Sequence, residues 1–392
     1  MKTASPLKIW LPSYYFIYYA GLASLSPFLA LYYESRGLNG SQIGLLTAIS
    51  PLVGLVAAPL WSGLADATRR HKAIFVFATV GVVTSALAIG LATSMVWLIP
   101  AIMSYAFLGA PIMPLVDSST MVLLEGRKDR YGRVRMWGTL GWAVMAPVTS
   151  WLVQYGGLQW SFYAYAGLVA IALLVAIPIP LGQAHVSVPF RSGVRKLFKN
   201  RRWMFFLLVV FLMGLASPSI STYLYLYMKH IGATSLIGVA LTVSTISEVP
   251  MYFFADKLLR RFKARGLFIM ALCVYILRLL LYTFIASPGL ILGLQLLHGF
   301  TSPAIWAAGI SYVGETAPKG LETTSQGIFT GVLNGLGSAA GAYIGGVVFQ
   351  VYGVVAMFQM FAGILFVALL LFVFVEKRIP ANVEQCEAQT AM

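Results

Sequence analysis

The chain has 392 residues, 59% of them hydrophobic and 10% charged, with a mean hydropathy of +0.83. No soluble domain of this length has that composition, so the chain reads as a polytopic membrane protein. The net charge of +15 does not describe a nucleic-acid binder, because the basic residues lie in gaps between apolar segments and form no contiguous groove.

Twelve apolar segments follow one another at 10–33, 42–64, 73–93, 96–123, 136–155, 159–180, 203–227, 234–255, 266–285, 289–313, 323–350 and 354–375. Each is close to the roughly 20 residues that a spanning helix needs. The first is too long for a signal-peptide core and lacks a small-x-small cleavage site, so it reads as an uncleaved helix. Of 27 Lys and Arg residues, 24 fall in alternate gaps. Lys2 and Lys8 precede segment one; Arg69, Arg70 and Lys72 follow segment two; the run from Arg127 to Arg135 follows segment four. Six more lie between Arg191 and Arg202, five between Lys257 and Arg265, then Lys319, Lys377 and Arg378. The opposite gaps hold only Arg36 and Lys229, and one basic residue, Arg278, lies inside a segment. Short cytoplasmic loops retain Lys and Arg in this way. The expectation is an even number of passes through the cytoplasmic (inner) membrane, with both termini cytoplasmic.

The gap 183–202 is basic and divides the chain into two six-helix halves, 1–182 and 203–378; the polar tail 379–392 reads as disordered. The halves echo each other. After segment two comes Gly63-Leu-Ala-Asp66-Ala-Thr-Arg69-Arg70-His-Lys72, and after segment eight Phe254-Ala-Asp256-Lys-Leu-Leu-Arg260-Arg261-Phe-Lys263, with the aspartates 190 residues apart. Parallel repeats of this kind build transporters whose substrate site lies at the midplane between the halves.

Gly63–Lys72 resembles the loop signature between helices 2 and 3 of the major facilitator superfamily. Tyr131-Gly-Arg-Val-Arg-Met-Trp-Gly138, Gln295-Leu-Leu-His298-Gly-Phe-Thr301, and Ala317-Pro318 followed by Thr323-Thr-Ser-Gln326-Gly327 resemble a narrower branch. That branch holds lactose-permease-like, nucleoside-permease-like and phenylpropionate-permease-like proteins. The resemblance covers nearly the whole chain. It implies an all-α membrane protein of twelve transmembrane helices, in two six-helix bundles related by pseudo-twofold symmetry.

Ionisable residues inside spanning helices are costly and point to function. Segments eight, nine and ten carry Glu248, Arg278 and His298. At about 1.5 Å of rise per residue, Glu248 lies roughly 21 Å and His298 roughly 14 Å from the outer side, and Arg278 roughly 18 Å from the cytoplasmic side. All three fall near the middle of a ~30 Å core, where mutual pairing lowers their cost. Burial disfavours an ionised carboxylate, a neighbouring guanidinium favours it, and a histidine can switch. Such a site meets the physical requirement for proton coupling. In lactose-permease-like proteins the same helices carry these three residue types in substrate binding and proton coupling, and the resemblance carries that role to Glu248, Arg278 and His298. Where lactose permease has a second carboxylate one turn after the histidine, this chain has Thr301. A cluster that only fixes helix packing is the plainer alternative.

Asp117 lies near the cytoplasmic end of segment four, and Arg133 and Arg135 open segment five. A gate ion pair is the favoured reading; a proton or substrate carboxylate is the other. Asp66, Arg69, Arg70, Asp256, Arg260 and Arg261 read as conformational latches that break and re-form as the halves rock. Tyr19, Ser302 and Trp306 are candidates to line a substrate cavity, with His298, Ser302 and Trp306 on one helical face; aromatic residues at membrane interfaces are the alternative. Gly337, Gly341 and Gly345 allow close helix packing and are no evidence of a ligand.

Together these features point to proton-coupled symport of a small organic solute, such as a sugar, nucleoside or aromatic acid, by a monomer without cofactor or metal. Cys273 and Cys386 have neither disulfide nor zinc spacing. A proton-coupled efflux antiporter is the runner-up, although Gly141-Trp-Ala-Val-Met-Ala-Pro147 lacks the glycine-proline signature usual there. An enzyme or receptor is disfavoured, since no acid, base or metal cluster gathers at a membrane face and no sizeable extramembrane domain exists.

Overall fold

A computed structural model of the protein describes residues 4–124, 128–181, 197, 200–316 and 321–378. Nine segments of the described residues are long and apolar enough to cross a bilayer, and two of these, Thr234–Phe284 and Thr324–Phe374, run to 51 residues each. A straight rod of that length would measure roughly 77 Å, more than twice the ~30 Å hydrocarbon core. Both are broken, at Lys263 (φ 57°) and at Gly353 (φ 81°). Glu248 and Arg278 lie fifteen residues to either side of Lys263, yet both touch His298, so the chain folds back there. With the more polar helix Lys128–Gly156, the described residues make twelve passes.

These are α1 (Ile9–Ser35), α2 (Gly40–Thr68), α3 (His71–Leu91), α4 (Met95–Leu123), α5 (Lys128–Gly156) and α6 (Gln159–Ala176). Then follow α7 (Arg201–His230), α8 (237–262), α9 (264–284), α10 (Pro288–Thr316), α11 (322–352) and α12 (354–378). The linker 183–202, apart from residues 197 and 200–202, and the tail 379–392 lie outside the described residues.

In the first bundle α1 packs on α5 and α6, and α4 on α2 and α3; in the second, the α11–α12 pair packs on α7, and the α8–α9 pair packs on α10 and on α11–α12. The bundles meet mainly where α2 packs on the α11–α12 pair and α5 on the α8–α9 pair, and also at the ends of α1 and α7. Small residues let the backbones meet. A Cβ on Gly40 would stand 2.6 Å from the Gly346 carbonyl oxygen, so only glycine fits this crossing.

Several helices are irregular within the membrane. α1 breaks into a 3₁₀ turn at Ser26–Phe28 around Pro27. α7 holds a π-turn over Ser219–Tyr223 after Pro218. α10 is 3₁₀-helical over Gln295–Phe300 and non-helical at Thr301. Such backbone is tolerated at membrane depth only where protein buries it or a wet cavity meets it.

The bundles are held together at the face opposite the basic loops. Glu34 at the end of α1 takes Lys229 Nζ at 2.5 Å and His230 Nε2 at 2.6 Å from the end of α7. The Ser41 amide donates to Gln350 Oε1 at 3.0 Å, and Thr242 donates to the Ala143 carbonyl at 2.8 Å. Among the described residues, no ion pair crosses between the bundles at the basic face.

Candidate functional site

The second bundle encloses a polar chain. Arg278 of α9 is fully buried. Its Nη2 donates to Gln295 Oε1 at 2.7 Å, its Nε to the Tyr282 hydroxyl at 3.1 Å, and its Nη1 to His298 Nδ1 at 2.9 Å and Thr301 Oγ1 at 3.5 Å. Gln295 Nε2 donates in turn to the Tyr282 hydroxyl at 3.0 Å. His298 Nε2 lies 3.2 Å from Glu248 Oε1 of α8. Arginine has donors only, so His298 Nδ1 accepts, and the ring proton sits on Nε2, facing the carboxylate. Arg278 and Glu248 do not touch; the imidazole joins them. The His298 and Glu248 side chains remain 19% and 24% exposed, so the buried arginine forms the closed end of the chain and the carboxylate the open end.

The backbone supports this geometry. The 3₁₀ stretch brings α10 against α8, where the Gly299 amide donates to Ser247 Oγ at 3.0 Å and Ser247 Oγ donates to the Gln295 carbonyl at 3.3 Å. A Cβ on Gly299 would run into the Ser247 backbone. The same irregularity corrects one expectation: His298, Ser302 and Trp306 do not continue one α-helical face, because Thr301 (φ −105°, ψ −96°) interrupts the helix between them. Ser302 is exposed, and Trp306 packs on Phe329 with ring centroids 6.0 Å apart.

The first bundle has its own cluster. Tyr15 donates to Asp117 Oδ1 at 2.5 Å, and Arg135 Nη1 lies 3.4 Å from Asp117 Oδ2. The Arg135 guanidinium stands 5.0 Å over the Tyr19 ring and 6.0 Å over that of Tyr15, and Tyr131 lies within electrostatic reach of Asp117. Asp117 pairs with Arg135 and not with Arg133. Both partners belong to the first bundle. Tyr252, one turn beyond Glu248 and 51% exposed, lies within electrostatic reach of both Glu248 and Arg135.

Of the expected latches, Asp66 meets His71 at 3.4 Å. Arg69, Arg70, Asp256, Arg260 and Arg261 are exposed and make no ion pair among the described residues.

A cavity of about 210 Å³ lies between the bundles, lined by Ser26, Pro27, Leu29, Ala30 and Tyr33 of α1, Leu46, Thr47 and Ser50 of α2, Tyr105 of α4, and Ser221 and Thr222 of α7. Tyr19, Ser302 and Trp306 do not line it. It shares no residue with the charged chain of the second bundle.

Comparison with known proteins agrees with the architecture. The profile of the MFS_1 like family matches residues 8–360. The maltose permease of Geobacillus stearothermophilus is 27% identical over 382 residues, 96% of each chain. A probable 3-phenylpropionic acid transporter of Escherichia coli (strain K12) is 26% identical over 365 residues, 88% of this chain and 92% of the relative. The crystal structure of the nucleoside transporter NupG superposes with a TM-score of 0.83 at 19% identity, covering 95% of this chain and 99% of that one. With a family profile spanning most of its length and a fold shared from end to end, the chain belongs to the MFS_1 like family, within the major facilitator superfamily.

Proposed function

We propose that this chain is a secondary active transporter of the cytoplasmic membrane that takes up a small organic solute together with protons, by alternating access. The observation that carries the reading is the chain Arg278–His298–Glu248. A fixed buried cation holds one side of an imidazole, and a partly exposed carboxylate holds the other. A carboxylate that solvent can reach, oriented by the N–H of a fixed neutral imidazole, is the simplest proton carrier a membrane interior can hold. Its likeness to permeases of a sugar and of an aromatic acid, and its fold likeness to a nucleoside transporter, support solute transport without choosing among those substrates.

In this reading the halves 1–182 and 203–378 rock about the linker 183–202, and the termini are cytoplasmic. The Glu34–Lys229–His230 bridge closes the outer side, and the exposed Asp66, Arg69, Arg70, Asp256, Arg260 and Arg261 re-pair when the cytoplasmic side shuts. The protein works as a monomer, and Asp117 with Arg135 lines the wall opposite Glu248. Uptake by reconstituted proteoliposomes, with and without an imposed pH gradient, tests the proposal. Solute accumulation that ignores the gradient in the wild-type protein refutes proton coupling.

A further inference from the structure

The two breaks in α1 and α7 are one feature written twice. Ser26-Pro27 and Ser217-Pro218 stand 191 residues apart, and Asp66 and Asp256 stand 190 apart, so the Ser-Pro pairs that lead into the breaks occupy equivalent places in the repeat to within one residue. Ser26 lies nine residues before the α1 end at Ser35, and Ser221 lies nine before the α7 end at His230. Each is therefore roughly 14 Å below the outer surface, at mid-membrane. Both irregular turns open onto the 210 Å³ cavity. Irregular backbone at this depth is tolerated where protein buries it or a wet cavity meets it; here both turns reach the cavity, and π-turns gather at functional sites.

The hydroxyls within the spans fall into two groups. Elsewhere in the spans, Thr79, Ser85, Ser119 and Thr245 each donate to a carbonyl one turn back, the usual way to satisfy a hydroxyl in an apolar helix. Around the cavity, Ser26, Tyr33, Thr47, Ser50 and Thr222 have no hydrogen-bond partner among the described residues. Tyr33 is only 2% and Thr222 9% exposed, so what little of them is accessible faces the cavity. None of the five hydroxyl oxygens is sealed from solvent, so each can donate to and accept from whatever fills the cavity, and together they suit a partner with many hydroxyls. Apart from its tyrosines the lining holds no ionisable side chain, so a carboxylate or ammonium would lose its hydration without a counter-charge. A volume of about 210 Å³ equals the liquid share of roughly seven waters, room for one substituted ring.

Resting on the transporter reading above, we infer that the cavity between the paired Ser-Pro breaks binds a neutral, hydroxyl-rich, single-ring solute. α1 and α7 belong to different bundles, so this ligand touches both and is released when they separate.

The test is binding to the purified full-length protein, measured by equilibrium dialysis and by thermal shift. The probes are D-glucose, D-ribose and myo-inositol, with maltose as a two-ring and 3-phenylpropionate as a carboxylate comparison. Saturable binding of at least one neutral single-ring probe is expected. Tyr33→Phe and Thr222→Val, which remove only hydroxyl function, should each weaken it about five-fold, while Ser85→Ala, a back-bonded hydroxyl far from the cavity, should leave it unchanged. The inference is overturned if no neutral single-ring probe binds folded protein, if 3-phenylpropionate or maltose binds and they do not, or if neither hydroxyl deletion weakens binding. The two readings fail separately. Uptake of a carboxylate that requires Glu248 would remove this inference and leave the transporter; hydroxyl-dependent sugar binding without any pH-driven uptake would do the reverse.

Discussion

Arg278 and His298 meet with the guanidinium donating to ring nitrogen Nδ1 at 2.9 Å, and that bond decides what the far side of the ring can do. A second ring proton would set N–H against N–H at Nδ1. As long as Arg278 stays in place, Nε2 carries the single proton and presents it to Glu248.

Glu248→Gln keeps the size and hydrogen-bonding capacity of the side chain but cannot titrate. Accumulation against a gradient, driven by a pH difference across proteoliposomes, should fall to the level reached without that difference. Exchange of labelled for unlabelled solute should persist if the carboxylate only carries the proton. Wild-type accumulation by the variant would remove Glu248 as carrier and make Asp117 the next residue to test.

Arg278→Ala strands Gln295, Tyr282, His298 and Thr301 at once, each losing a charged donor in a buried site. Breaking such a network costs about 3–5 kcal/mol, so the variant should melt several degrees lower in detergent. Gln295→Leu, which removes one partner, should cost about 1–3 kcal/mol and melt between the two. Equal melting of all three proteins would show that the network has no structural weight.

Glu34→Gln removes the carboxylate that holds both Lys229 and His230 of the other bundle. These are half-exposed pairs, so the loss should be near 1 kcal/mol, about a five-fold shift toward the state open at that face. Single cysteines placed near Gly40 and near Asp256 report it: thiol labelling should rise at the first and fall at the second. Unchanged labelling at both would deny the bridge a role in the balance.

Topology can be checked without transport. A reporter active only outside the cytoplasm should be silent when fused at Lys196, in the linker outside the described residues, and active when fused near Gly232. Activity at Lys196 would invert the assignment of faces.

The spans and their division into two halves were legible because hydropathy and loop charge are long-range, redundant signals. The irregular turns were not. A helix apolar on all sides carries no periodic mark by which a 3₁₀ or π register could be seen, so Ser26-Pro27 and Pro218 passed unnoticed and the cavity between them with them. Gln295 stands three residues before His298, one turn away on a helix, but an uncharged amide gives no sign of burial against a guanidinium. Thr301 stood out only for the carboxylate it lacks, whereas its hydroxyl is one of the acceptors around Arg278.

The contact of Gly299 with Ser247 has one more consequence. It rivets α10 to α8 by backbone, inside one bundle. Glu248 and His298 are therefore passengers on the same rigid block, and rocking the bundles cannot stretch the bond between them. What motion can change is which aqueous compartment wets the carboxylate. In the proposed symport cycle a proton would then be timed by a valve and not by a spring: the Glu248–His298 pair would keep its shape, and the water that reaches it would set the direction of transport.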